Sequence, residues 1–314
     1  VLWEEAKARG IKLQSVVIFG RENDSFRAKI NGKMIYFSGL PRPEYAPVSA
    51  EWWMDDKGLI KEKLLKADIP VAQGGVFSRY QPLLKKFQEL EKPVIIKPRL
   101  GSRGRHTTTF IYTEEQLKQA FKIAKQLCHW VVMEEHLLGG VFRGTMIDGK
   151  LAGVLRAYPP RVAGDGQRTI RELIDIKNQN RHPKVREVVI TPEMEIFLSR
   201  NNYSLDHVLS NGKTIDLSEK VGASYGGVSI EDTVITHPEI KPILENAAAV
   251  IGDPILGFDF IIEKIDQSPH TQKWGIIECN GVPFINLHHD PIEGQPNNVA
   301  KYVWEFVEKN LNYY

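Results

Sequence analysis

Two dipeptides, Asn31-Gly32 and Asp148-Gly149, sit between short apolar runs and commit two distant parts of the chain to tight antiparallel hairpins. Residues 26–30 and 34–37 flank the first turn, and 141–147 and 151–155 flank the second. Helical signals are interleaved with them. Leu59, Ile60, Leu64 and Leu65 recur at helical spacing across 55–67. Thr113 with Gln116 and Thr169 with Glu172 read as capping boxes, opening helices that run to about Cys128 and about Asn180. A short helix over 2–9, stopped by Gly10, and helices over 238–251 and from about Asn298 complete the helical set. Further strands are expected at 14–19, 93–97, 109–112, 130–134, 258–263 and 273–278, with a polar, partly helical stretch around Asn201-Asn202. Locally paired strands mixed with helices imply an α+β architecture rather than a parallel doubly wound sheet. Pro41, Pro43 and Pro47 mark the end of a small N-terminal α/β element.

Charge narrows the function. Across 314 residues, 41 Lys+Arg against 39 Asp+Glu give a formal +2, which argues against a nucleic-acid partner. No apolar run approaches the roughly 18 residues needed to cross a bilayer, so no membrane partner is expected. Cys128 and Cys279 have neither zinc spacing nor a disulfide framework, which makes a reducing cytoplasm the expected setting. The chain begins with Val1 rather than Met, so the N-terminal element is expected to be incomplete.

The segments 257–262 and 276–281 are the most informative pair. Symmetric antiparallel pairing through 264–273 places Asp259 opposite Glu278, with Asn280 on the same face as Glu278. Two carboxylates and a carboxamide are hard oxygen donors, a set that suits Mg²⁺ completed by phosphate oxygens and water. The competing reading is two unrelated surface acids. Cys279 should face away into the core. A second constellation is Lys97 at the end of an apolar strand, followed by a basic loop containing Gly101 and Gly104. Such a loop lets backbone N–H groups approach phosphate, although from the residues alone a plain surface turn is the commoner reading. A third is 131–137, an apolar strand ending in Glu134-Glu135. It reads either as a nucleotide hinge or as a buried strand with a solvated end. His288-His289 carries no zinc spacing, which leaves His288 a substrate-side or packing role.

In chain order these blocks are Asp56-Lys57, the run from Leu64 to Val71, and Lys97-Pro-x-x-Gly-x-x-Gly-Arg105. Gly164-Asp-Gly166, Thr169-Ile170-x-Glu172-Leu173 and Ser224-x-Gly226-Gly227 follow. His237-Pro238-Glu239, Gly257-x-Asp259, Ile277-Glu278-x-Asn280 and the block from Glu293 to Ala300 complete the series. Together they resemble the ATP-grasp superfamily, and most nearly the ATP-grasp region of cyanophycin synthetase-type peptide ligases, from about residue 45 onward. The resemblance implies a nucleotide held between two α+β subdomains. These would be a lid with its linker helix at 57–133 and a core carrying the metal and substrate sites at 134–314, after the element at 1–56.

It also implies roles. Lys57 and Lys97 would contact ATP phosphates, and the loop around Ser102, Gly104 and Arg105 would cover them. Glu134 would take the adenine amino group, with backbone contacts near Glu135 and Leu137. Asp259, Glu278 and Asn280 would hold Mg²⁺, two ions in number, with Mn²⁺ as a substitute. Arg156 is the candidate for stabilising the transferring phosphoryl group. Arg143 and Arg161 would grip a substrate carboxylate or form structural ion pairs, and the Ser224, Gly226, Gly227 loop and His288 fall on the substrate side. Val141 stands where the family places an acid for ribose. The residues after Asn280 in this chain leave no room for the second, Mur-ligase-like module of cyanophycin enzymes, so a full two-module polymer synthase is not expected. The implied activity is an ATP-dependent carboxylate–amine ligase. It would join an amino acid or peptide through an acyl phosphate and release ADP and phosphate. A homo-oligomer is compatible with this. The alternatives are a thiol or other non-amine nucleophile, or a catalytically weak nucleotide-binding regulatory module.

Overall fold

In the computed structural model, which describes residues 1–18, 21–46, 53–101 and 105–314, both dipeptides close tight turns. Asn31 and Gly32 lie at φ 49° and 85°, and Asp148 and Gly149 at 51° and 70°. Two consecutive positive φ values are what a type I′ hairpin turn demands. The first turn belongs to an N-terminal element of α1 (Leu2–Ala8), β1 (Lys12–Ile18), β2 (Arg21–Ile30) and β3 (Lys33–Ser38), the strands forming an antiparallel sheet in chain order. This element is not self-contained. Ala28, Ile35 and Phe37 share one core with Trp304 and Val307 from the far end of the chain.

Helix α2 (Lys57–Leu65) comes next and packs through Ile60 and Leu64 on the core of the larger sheet formed farther along the chain. A four-stranded sheet then follows, formed with β4 (Gly74–Phe77), α3 (Tyr80–Glu89), β5 (Val94–Pro98), β6 (Thr108–Ile111), α4 (Glu114–Lys125) and β7 (Val131–Glu135). Its strand order is β4-β7-β5-β6, and β7 carries the sheet across residues 133 and 134. Helices α3 and α4 cover one face through Leu83, Phe87, Leu117, Ala120 and Ala124. Thr113 caps α4 in a full capping box with Gln116. The sequence reading contained neither β4 nor α3. Gly74-Gly75 carries no β-propensity, and the reason for glycine is steric: a Cβ on Gly74 would sit 2.0 Å from the Met133 carbonyl oxygen. The N-cap position of α3 is Arg79, which makes no capping bond, so the helix has no start signal.

The remaining chain forms β8 (Gly140–Ile147), β9 (Lys150–Tyr158), β10 (Arg161–Ala163), α5 (Ile170–Gln179), α6 (Pro192–Arg200) and β11 (Thr214–Asp216). After these come β12 (Val228–Glu231), α7 (Ile240–Ile251), β13 (Ile255–Ile262), β14 (Gly275–Asn280), α8 (Asn286–His289), β15 (Glu293–Gly294) and α9 (Val299–Lys309). A six-stranded sheet of order β14-β13-β8-β9-β12-β15 is the frame of this part. Helix α7 seals one face, where Leu244, Ala247 and Ala248 meet Phe142, Phe258 and Phe260. The segment between β10 and β11 packs around its own core of Ile170, Leu173, Ile174, Met194, Leu198 and Leu205. Strand β14 runs two residues later than the expected 273–278, so it includes Asn280.

Candidate functional site

Register fixes which side chains meet. Asp259 on β13 pairs with Glu278 on β14 and with Arg143 on β8. Gly257, one step along the same face, pairs with Asn280 and Thr145. Directly paired residues share a face, so Glu278, Asp259, Arg143, Asn280 and Thr145 all project away from α7. Cys279 projects the other way, is 1% exposed, and places its Sγ 3.9 Å from Met54 Sδ.

The acids are engaged by cations. Arg143 donates from Nε to Asp259 Oδ1 and from Nη2 to Asp259 Oδ2, both at 2.7 Å. This is the bidentate geometry that suits guanidinium best. Asn280 Nδ2 donates to Asp259 Oδ2 at 3.2 Å. Lys57 Nζ stands 3.6 Å from Glu278 Oε1 and donates to the Gly101 carbonyl at 2.5 Å. Burial pushes the Glu278 carboxyl above its ordinary pKa, with Lys57 opposing and Asp259 adding to the rise. Lys57 reaches this point because Asp56 caps α2, accepting from Gly58 N and Leu59 N, and also pairs with Arg99 Nε at 2.7 Å.

Nearby, Glu134 lies between two lysines. Its Oε2 is 2.9 Å from Lys97 Nζ and its Oε1 is 2.7 Å from Lys61 Nζ. Burial alone would push the Glu134 carboxyl up, but the two ammonium groups win and hold it below the ordinary range. Glu135 accepts from Gln73 N through Oε1 at 2.9 Å and pairs with Lys273 at 2.5 Å, while Leu137 is buried. Sequence reasoning missed Lys61. The available signal was its place one turn after Lys57 and between buried Ile60 and Leu64, where a lysine needs an acid. Arg105 is exposed, and Ser102 and Gly104 lie outside the described residues.

Four further groups of candidate residues are placed away from the Asp259 face or held by partners of their own. Arg156 pairs with Phe142, whose ring packs in the α7 core, so Arg156 projects from the opposite face of the sheet to Asp259. There its guanidinium lies 4.8 Å over Phe142, its Nε is 2.5 Å from Asp232 Oδ2, and Nη1 donates to Tyr158 Oη at 2.6 Å. Arg161 is held in the β10–β11 ribbon by Asp216 at 2.5 Å. Gly226 and Gly227 are buried packing glycines rather than open donors. Their N–H groups bond to Ala223 O and Gly222 O, and a Cβ on Gly227 would lie 2.0 Å from Tyr158 O. Ser224 beside them is exposed. His288 sits in helical α8 and is fully buried, the packing position among its two expected roles. Its nitrogens meet Glu231 Oε2 and Thr145 Oγ1.

Asp259, Glu278 and Asn280 offer two carboxylates and one carboxamide on one face, a donor set that fits Mg²⁺ bound jointly with phosphate oxygens. Among the described residues no group of three or more His, Cys, Asp or Glu converges. No helix among them is long and apolar enough to cross a membrane.

Two largely antiparallel sheets, with one parallel pair between β12 and β15, and a row of acids and lysines resemble the ATP-grasp superfamily. Within that superfamily the chain is related to glutathione biosynthesis bifunctional proteins and cyanophycin synthetases. It is 30% identical over 318 residues to the glutathione biosynthesis bifunctional protein GshAB of Listeria monocytogenes serotype 4b, covering 98% of this chain and 40% of that protein. To the cyanophycin synthetase of Synechocystis sp. it is 32% identical over 254 residues, covering 78% of this chain and 29% of the relative. The crystal structure of a bifunctional glutathione synthetase from Pasteurella multocida superposes with a TM-score of 0.69 at 22% identity, covering 98% of this chain and 43% of that one. The chain thus spans 40% of the length of the bifunctional relative it matches. No protein-family model matches the chain.

Proposed function

We propose that the chain is an ATP-dependent carboxylate–amine ligase that forms an amide bond on an amino acid or peptide in the cytoplasm. The observation that carries this reading is the shared face of Asp259, Glu278 and Asn280, with Lys57 at 3.6 Å from Glu278. The names of the relatives, glutathione biosynthesis and cyanophycin synthesis, support an amino-acid or peptide substrate. Asp259, Glu278 and Asn280 would hold two Mg²⁺ ions, or Mn²⁺ in their place, which neutralise triphosphate charge when bound. Lys57 and Lys97 place point cations against the phosphates, and Glu134 with the backbone at Glu135 and Leu137 faces the base. The region 57–133 acts as linker helix and lid and 134–314 as the core, with β7 spanning their junction. In the reaction a substrate carboxylate oxygen attacks the γ-phosphorus and ADP leaves. An amine then attacks the acyl carbon, phosphate departs with the acyl C–O bond, and the amine loses a proton. Arg143, on the reacting face, replaces Arg156 as the guanidinium available to the developing phosphoryl charge.

The test is incubation with Mg-ATP and pooled amino acids or short peptides, following phosphate release and new amide masses. Substrate-dependent ADP and phosphate with an amide product supports the ligase. AMP and pyrophosphate would overturn the acyl-phosphate route, a thioester product would reassign the nucleophile, and ATP binding without turnover would favour a regulatory module.

A further inference from the structure

Both oxygens of Asp259 are taken by one guanidinium, and the Lys57 ammonium lies 3.6 Å from Glu278. These are the same two carboxylates that the proposed function assigns to divalent ions. Arg143 is anchored for this role by strand register, since β8 lies directly beside β13 and the two residues are ladder partners. The Asp259 side chain is 14% exposed and that of Arg143 23%, so their attraction is only partly screened by water. A divalent ion arriving alone would have to displace a bidentate guanidinium bond and approach two fixed positive charges. It would leave Arg143 with no anion in exchange. A triphosphate changes this balance, because its oxygens give Arg143 and Lys57 new partners as the ions take over the carboxylates.

We infer that Arg143, with Lys57, is a cationic placeholder for the divalent ions, so that metal enters this site as the nucleotide complex and not before it. This rests on the metal assignment above and adds an order of binding to it. Arg143 is therefore a positioning residue in the binding step, whatever it later contributes to phosphoryl transfer.

The experiment is a titration of the full chain with Mn²⁺, followed by electron paramagnetic resonance, with and without a non-hydrolysable ATP analogue. Wild type, Arg143→Met, Arg143→Lys and Glu278→Gln are compared, with circular dichroism confirming the fold of each. Wild type is expected to bind Mn²⁺ weakly alone and tightly with the analogue. Arg143→Met should gain about tenfold or more in nucleotide-free Mn²⁺ affinity, and Arg143→Lys, which keeps the charge but not the fork, should gain less. Should Arg143→Met fail to fold, the Lys variant alone still decides, since any gain above about threefold supports the placeholder. Nucleotide-free affinity unchanged in the folded variants overturns the inference while leaving the metal assignment intact. Normal Mn²⁺-analogue affinity in Glu278→Gln overturns the metal assignment itself, and the placeholder with it.

Discussion

Nδ1 of His288 lies 2.6 Å from Glu231 Oε2, while its Nε2 lies 2.8 Å from Thr145 Oγ1. The three side chains are all buried and join α8 to β12 and β8 beneath the loop that follows Asn280. Gly153 is glycine for the same reason, because a Cβ there would stand 2.7 Å from the imidazole. His288→Ala strands Glu231 and opens a cavity. It should cost about 2–4 kcal/mol in urea unfolding. Gly153→Ala should destabilise as well, and a variant of either with an unchanged urea midpoint would show that the network is dispensable.

Lys61 and Lys97 together depress the pKa of buried Glu134. A carboxyl with a lowered folded pKa contributes stability above its unfolded value of about 4.3, and loses it as pH falls through the folded value. Lys61→Met leaves one cation and raises the Glu134 pKa. Its acid-induced loss of stability should therefore begin at higher pH than in wild type, as read from urea midpoints between about pH 7 and 3. Coincident profiles would remove Lys61 from this role. At neutral pH the same variant should be less stable by about 3 kcal/mol.

The two acids of the metal row should respond differently to neutralisation. Glu278→Gln removes a charge whose burial is unfavourable and should keep or slightly raise the melting temperature. Asp259→Asn leaves the partly buried Arg143 guanidinium without its carboxylate and should lower it. Both are expected to reduce ligase turnover by about 100-fold or more. Parallel stability changes in the two variants would contradict the ion-pair arrangement.

Arg156 provides the contrast to Arg143. Placed on the far face with Asp232, Arg156→Met should destabilise by about 2–4 kcal/mol through the orphaned acid. The ATP KM should stay within about twofold of wild type. A selective fall in kcat with unchanged stability would return Arg156 to the reacting face.

How far the sequence could be read depended on whether a signal was local. The pairing of Asp259 with Glu278 was legible because two apolar strands and one short connection allow a single symmetric register. The capping boxes at Thr113 and Thr169 were legible because they are complete within four residues. The face of Arg156 was not. It depends on the ladder with Phe142, and a shift of one residue reverses it. Gly226-Gly227 looked like an open loop because the atoms that crowd them, in Val188 and Tyr158, lie far away in sequence. The helix that holds His288-His289 was not legible, because a four-residue helix carries too little periodicity to announce itself.

Trp304 and Val307 roof the sheet that holds Ile35 and Phe37, and Arg9 Nη1 bonds Glu308 across 299 positions. At ribosomal speed that separation corresponds to on the order of 15–60 s of translation. Throughout that interval the part of the sheet that Trp304 and Val307 will cover lacks its final partner, although α1 packs on the same core through Ala6. Docking of α9 is therefore expected to be a late, long-range step, following hairpins whose strands close within a few residues.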